Sequence, residues 1–278
     1  MTSTVHEITP GVLVSRARLW SSLTTVVVAD SRCLVVDPGI TPSEIGRVAD
    51  ELRARGLRVD AGFSTHPHWD HVLWSPRWPD APRWATTACV RRADESRAHN
   101  LAEADALAPG HDHDLVGRLV PIPRTHGGAL RLPWTGVDSL VVEHDAHAPG
   151  HAALVLPGRR VLVAGDMLSD REVPLLDTDA VDPVTDYRRA LDLLEAQVVE
   201  HRVTALVPGH GSPALGSRDV GERFTADRRY LDAIEHEARH GCGDEPRSAC
   251  STRDPRLTDP WVAGEHRAQV AALGRSRG

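Results

Sequence analysis

The 278-residue chain is expected to be an α/β protein, on three observations. A strand–helix–strand unit is written into residues 33–65. Short β-rich runs return from residue 129, and each strand-rich half is followed by helical stretches, which suggests a two-layer, internally duplicated core. Where the first unit ends, STHPHWDH, residues 64–71, packs three histidines and an aspartate into its last six positions. Open α/β sheets place their chemistry at such strand ends.

The elements follow in order. GVLVSRARLW (11–20), TTVVVAD (24–30) and CLVVDPG (33–39) read as successive strands, rich in β-branched residues and closed by an Asp-Pro-Gly turn. Residues 42–56 predict a helix: Pro42 and Ser43 start it, Ile45, Val48, Ala49 and Leu52 share a face, and Gly56 stops it. LRVDAGFST (57–65) is the next strand. Residues 76–123 look like an irregular insert or lid, with one helix over 83–107. From 129 the strand rhythm returns in ALRLPW (129–134), SLVVEHDA, AALVLPG and RRVLVAGDM. An amphipathic helix spans 183–202, VTALVPGHG forms a last short strand, and helices at 219–240 and 260–274 complete the chain.

Composition narrows the function classes. The hydrophobic fraction of 41% and charged fraction of 26% are those of an ordinary globular protein. A net charge of −7 leaves no broad basic surface for nucleic acid or anionic membrane. Every basic residue is arginine. No export signal and no apolar run of membrane-spanning length is visible, so a cytoplasmic protein with a small-molecule substrate is expected. Oligomeric state is left open. Cys33, Cys89, Cys242 and Cys250 lack zinc-ribbon spacing; Cys242 and Cys250 could pair, but reduced thiols are the expectation.

The chemistry rests on His66, His68, Asp70 and His71. Imidazole nitrogens with carboxylate oxygens suit zinc and neighbouring divalent metals. Residues two apart on an extended segment share a face, so His66 and His68 can grip one metal while Asp70 and His71 point at a second. Four ligands on one tetrahedral zinc would leave no open position, so two metals are the natural reading. Further strand ends carry His151 in APGHAALVL, Asp166 in VLVAGDM and His210 in ALVPGHG.

This ordered set, HxHxDH followed by a distal His, an Asp and a last His, resembles the metallo-β-lactamase superfamily over residues 11–215. The resemblance implies a four-layer αβ/βα sandwich of two mixed sheets flanked by helices. The domain would span 1–218, followed by a helical C-terminal extension over 219–278. It implies one metal held by His66, His68 and His151, a second by Asp70, His71 and His210, and Asp166 spanning both. Asp37 matches an early strand-end aspartate that orients ligands from behind. The cofactors implied are two divalent ions, zinc foremost, with iron or manganese open. The implied function is cleavage of a small ester, lactone or thioester by a metal-bridging hydroxide, with Asp70 as catalytic residue passing a proton to the leaving group. A phosphodiester hydrolase or a mononuclear iron dioxygenase are the alternatives on this scaffold.

Other candidates are weighed against that set. His144 and His147 compete with His151, which the Pro-Gly-His turn favours. HDHD (111–114) reads as a solvated loop, though His111 or His113 could touch substrate. Trp69 and Trp74 are candidate substrate contacts, while Trp134 and Tyr187 read as core. The absence of lysine argues against glutathione as the carried group.

Overall fold

The computed structural model describes residues 4–124, 129–240 and 254–275. Four antiparallel strands open the first sheet: β1 (Val5–Thr9), β2 (Val12–Arg16), β3 (Leu23–Ala29) and β4 (Arg32–Val36). Helix α1 (Pro42–Ala54) then crosses over to β5 (Arg58–Phe63), which lies parallel to β4. Thr41 caps α1: its hydroxyl accepts from the Glu44 N–H, and the Glu44 carboxylate accepts from the Thr41 N–H, each at 3.2 Å. Ile45, Val48, Ala49 and Leu52 bury the expected face. The larger of these side chains contribute about 1.5–3 kcal/mol each.

Residues 76–123 are more regular than expected. β6 (Arg83–Ala85) and β7 (Val120–Pro121) extend the first sheet as parallel strands, and α2 (Thr87–Glu95) and α3 (Arg97–Leu107) lie between them. The single helix expected over 83–107 is therefore a strand and two helices that meet at Ser96. Arg83 drives this change, because its buried guanidinium donates to the carbonyls of Val72, Leu73 and Arg118 at 2.8–3.0 Å. It thereby pins the start of the segment to the turn after β5.

The second sheet runs in the order β12 (Ala214–Leu215), β11 (Ala205–Pro208), β10 (Val161–Gly165), β9 (Ala152–Leu156), β8 (Leu140–Glu143). Only β10 and β11 are parallel. The strand expected at 129–134 is reduced to one bridge between Arg131 and Leu140, because Pro133 offers no N–H to extend a ladder. Helices α4 (Pro183–Glu200), α5 (Ser217–His240) and α6 (Pro260–Arg275) cover this sheet.

The protein is an αβ/βα sandwich. Val12, Leu34, Val36 and Phe63 of the first sheet meet Leu154, Leu156, Val163 and Val207 of the second in a central apolar layer. A second core lies under α1 and α3, and a third joins α4, α5 and α6 to the outer face of the second sheet. No helix among the described residues is long and apolar enough to cross a membrane. Cys33 and Cys89 are buried free thiols; the pairing considered for Cys242 and Cys250 lies outside the described residues.

Candidate metal centre

Both sheets deliver polar residues to one end of the sandwich. After β5 the chain runs into His66 and His68, then into a 3-10 turn, Trp69–His71. From the second sheet come His147 in the loop before β9, Asp166 directly after β10, and His210 two residues past β11. Ligand atoms of His66, His68, His147 and Asp166 gather within 4.8 Å of one another, those of Asp70, His71 and His210 form a second such group, and Glu172 forms a third with Asp166 and His210.

Asp166 stands between the groups. Its Oδ1 is 3.2 Å from His71 Nε2. Its Oδ2 is 3.5 Å from His66 Nε2 and from His147 Nε2, and 3.4 Å from His210 Nε2. Asp70 Oδ2 lies 3.3 Å from both His71 Nε2 and His210 Nε2.

Each of four rings is held from behind through its Nδ1, so that its Nε2 faces inward. His71 Nδ1 donates to Asp37 Oδ2 at 3.0 Å, His210 Nδ1 to the Trp20 carbonyl at 3.3 Å, and His147 Nδ1 to the Leu175 carbonyl at 2.8 Å. His66 Nδ1 donates to the Thr65 hydroxyl at 3.0 Å, which in turn donates to Asp37 Oδ2 at 2.7 Å. Since every partner is an acceptor, each Nδ1 carries a hydrogen and Nε2 is left as the ring atom able to coordinate; within the cluster His71 Nε2 meets His210 Nε2 at 3.2 Å, and His147 Nε2 meets His68 Nδ1 at 3.0 Å. Asp37 thus orients two histidines at once, from a left-handed backbone conformation (φ 47°).

The donor set fits divalent metal ions. His66 Nε2 and Asp166 Oδ1 are buried with no hydrogen-bond partner. An unpaired buried acceptor costs about 1–3 kcal/mol, so a pair of them at one point marks a place for a cation. Burial lowers the pKa of His66 and of His147, which keeps both imidazoles neutral and able to coordinate. Burial also opposes charge on His71, yet Asp166, Asp70 and Asp37 together outweigh it and raise its pKa. The same carboxylate field favours any positive charge placed among them.

His151 stands outside both groups, contrary to expectation. Its Nε2 accepts the Asp166 backbone N–H at 3.1 Å, and its Nδ1 meets His144 Nε2 at 3.1 Å. His151 abuts the start of β9, and its carbonyl already accepts from the His144 N–H as the ladder begins. Its ring is consequently held beneath Gly165, where an added Cβ would come within 2.5 Å of it. His147, at the free tip of the same loop, faces Asp166 instead. The available signal was the apolar run beginning at Ala152: a residue touching a strand start is held by that strand.

Trp74 likewise lies away from the metal centre and does not line the cavity above it. It is buried under Arg83, with its Nε1 donating to the Trp78 carbonyl at 3.1 Å. His111 Nε2 donates to the Ile40 carbonyl at 2.7 Å, and exposed His113 pairs with Asp105 at 2.9 Å. Among the described residues, no metal-capable group includes 111–114. Tyr187 is buried and donates to Asp227, and Trp134 packs between the sheets.

A cavity of about 570 Å³ opens over Asp70, Asp166 and His210, and Trp69 lines it as expected. Two wall residues had no sequence signal: Trp20, in the turn before β3, and Glu172, in the loop after β10. The Glu172 carboxyl is only 3.8 Å from His210 Nδ1, and burial raises its pKa to about 7.

Close approach leaves no room at Gly209. A Cβ there would stand 1.9 Å from Asp166 Oδ1 and 3.0 Å from His71 Cε1. Gly209→Ala should therefore push Asp166 aside and at least halve the bound metal, read by elemental analysis, while the far-ultraviolet dichroism of the sandwich is retained.

Comparison with known proteins places this geometry. The family model described as "Metallo-beta-lactamase superfamily" matches residues 17–210. The hydroxyacylglutathione hydrolase of Aeromonas salmonicida (strain A449) is 31% identical over 143 residues, 50% of this chain and 43% of that protein. The chain thus spans less than half the length of that relative. Among solved structures, a beta-lactamase domain protein from Burkholderia ambifaria superposes with a TM-score of 0.68 at 23% identity, covering 97% of this chain and 86% of the other. An inverting sec-alkylsulfatase from Pseudomonas sp. does so with a TM-score of 0.64 at 17% identity, covering 85% and 42%. These two likenesses concern the fold.

Proposed function

Because the chain belongs to the metallo-beta-lactamase superfamily, we propose that it is a metal-dependent hydrolase of ester-type bonds, with small thioesters as the leading substrates. The observation that carries this reading is Asp166, set between two histidine groups, with its own Oδ1 and the inward Nε2 of His66 buried and without a hydrogen-bond partner. The similarity to a hydroxyacylglutathione hydrolase supports a thioester over a phosphodiester.

One ion would be held by His66, His68 and His147, the other by Asp70, His71 and His210, with Asp166 between them. Two divalent ions, zinc foremost, would supply a lowered pKa for water and stabilisation of the oxyanion formed at the attacked carbonyl. The protein's own residues do the rest. Asp37 and Thr65 hold the imidazoles in the coordinating tautomer. Asp70 faces the cavity, where its carboxylate can take the attacking water's proton and pass it to the leaving group.

The test is a panel of thioesters, lactones and bis-aryl phosphates run on metal-quantified protein. Thioester turnover well above that of the phosphates is expected; the reverse order would replace the proposal with phosphodiester cleavage. Paired variants test the ligand assignment. His147→Ala should remove about one metal equivalent per chain. His151→Ala loses only a support for Asp166, so it should weaken metal affinity by about 10–100-fold and still load at saturating metal. Equal metal loss in both would return His151 to the ligand set.

A further inference from the structure

The cavity over the metal centre has a marked chemical asymmetry. Besides Asp70 and Asp166, its wall carries the carboxylates of Glu103, Glu172, Asp177, Asp179 and Glu265. Against them, among the described residues, stands one guanidinium, Arg92, itself 3.6 Å from Glu95. The chain holds no lysine to add to it. A substrate bearing several carboxylates would meet repulsion along most of this wall.

Next to the His210 side of the cavity sits a cluster of indoles. Trp20 packs edge-on to Trp69, with ring centres 5.7 Å apart, and nearly parallel to Trp261 at 6.0 Å. All three line the cavity, and Trp261 is 41% exposed. The chain has two phenylalanines and two tyrosines, and all four are buried in the core. Placing indoles at an open mouth is thus a departure from how this molecule otherwise uses aromatic side chains.

Trp20 is held there against local preference. Trp20 and Ser21 both adopt left-handed backbone conformations, each with φ 53°. For a bulky residue this costs about 1–3 kcal/mol and persists only where the surroundings enforce it. Here they do so through the Gly211 N–H donating to the Ser21 carbonyl at 3.0 Å and the Ala17 N–H to the Ser22 carbonyl at 2.8 Å.

Two carboxylates accompany the indoles. Glu265 lies one turn beyond Trp261 on α6 and therefore shares its face. Glu172 is 7% exposed, lines the cavity, and its carboxylate makes no hydrogen bond, the nearest basic nitrogen being His210 Nδ1 at 3.8 Å. Indole faces beside a carboxylate such as Glu265 attract organic cations, because the ring quadrupole and the negative charge act in the same direction.

We propose that this end of the cavity binds an alkylammonium group, so that the substrate is a cationic ester or thioester. The substrate half of this statement rests on the hydrolase reading above; the ammonium site does not. The Trp20 ring centre is 6.3 Å from that of His210, which sets the charged nitrogen only a few atoms from the bond to be cleaved.

Calorimetric titration of the metal-loaded protein with choline and with its uncharged carbon isostere, 3,3-dimethylbutanol, tests the site without turnover. Choline should bind at least about tenfold more tightly, and Glu265→Gln and Trp261→Ala should each bring that ratio towards one. Equal affinities, or no choline binding, would overturn the proposal. Turnover is then compared between acetylthiocholine and S-(3,3-dimethylbutyl) thioacetate. A kcat/KM advantage for the cation that shrinks in Glu265→Gln supports the substrate class, and none overturns it. Choline binding without hydrolysis of either thioester would leave the ammonium site standing and remove the hydrolase reading instead.

Discussion

Replacing Asp166 with alanine should empty the centre almost completely. Its two oxygens lie within 3.5 Å of imidazoles from both groups: His66 and His147 on one side, His71 on the other, with His210 shared with Asp70. Without it, the histidines of both groups would face a gap, and Asp70 would be left to offset most of the charge of two cations. Metal content should fall well below one equivalent per chain. Thioester hydrolysis should fall by about a thousandfold or more, corresponding to about 4 kcal/mol of lost transition-state stabilisation. Elemental analysis together with kcat/KM checks this. Two retained equivalents would show that the histidine groups hold their ions independently.

The second large effect is expected at a residue that is not itself a candidate ligand. Arg256 is buried, and its Nη1 donates to Asp227 at 2.6 Å, to the Ser169 carbonyl at 3.2 Å and to the Glu172 carbonyl at 3.1 Å. Its Nη2 donates to Asp254 at 2.8 Å. Asp227, 1% exposed on α5, also accepts from the Leu168 N–H at 3.1 Å. Arg256→Ala leaves that carboxylate buried without its cation and frees the loop carrying Glu172. Breaking a buried pair by removing one partner costs about 3–5 kcal/mol. At about 2–4 °C per kcal/mol, the melting temperature should drop by roughly 6–20 °C. Arg256→Lys should rescue little, since one ammonium cannot reproduce the fork of contacts. A shift under about 2 °C would show that the pair is solvated in solution.

How much of this was readable beforehand differs from residue to residue, for physical reasons. Residues 42–54 declare themselves locally, through Pro42 and Ser43 at the start and a 3.6-residue apolar repeat, although the cap itself, Thr41, was not singled out. The convergence of His66, His68, Asp70, His71, Asp166 and His210 was also readable, because each lies where an apolar run breaks at a turn. His147 was not separated from His151, since the choice depends on which histidine the β9 ladder captures. Arg83 hid the break in the segment after it; its role is to satisfy carbonyls from two distant turns, and no periodicity reports that. Trp20, Glu172 and Arg256 reach the site through long-range packing alone. Nothing in their immediate neighbours distinguishes them from ordinary surface or strand residues.

The supply of inward-facing residues from both sheets has a consequence for assembly. Four come from the turn after β5, and the other three come from chain segments beyond residue 140. Neither half of the sandwich on its own possesses a complete coordination sphere. The ions would therefore act as rivets across the seam, and a preparation stripped by chelator should open along that seam before either half loses its strands.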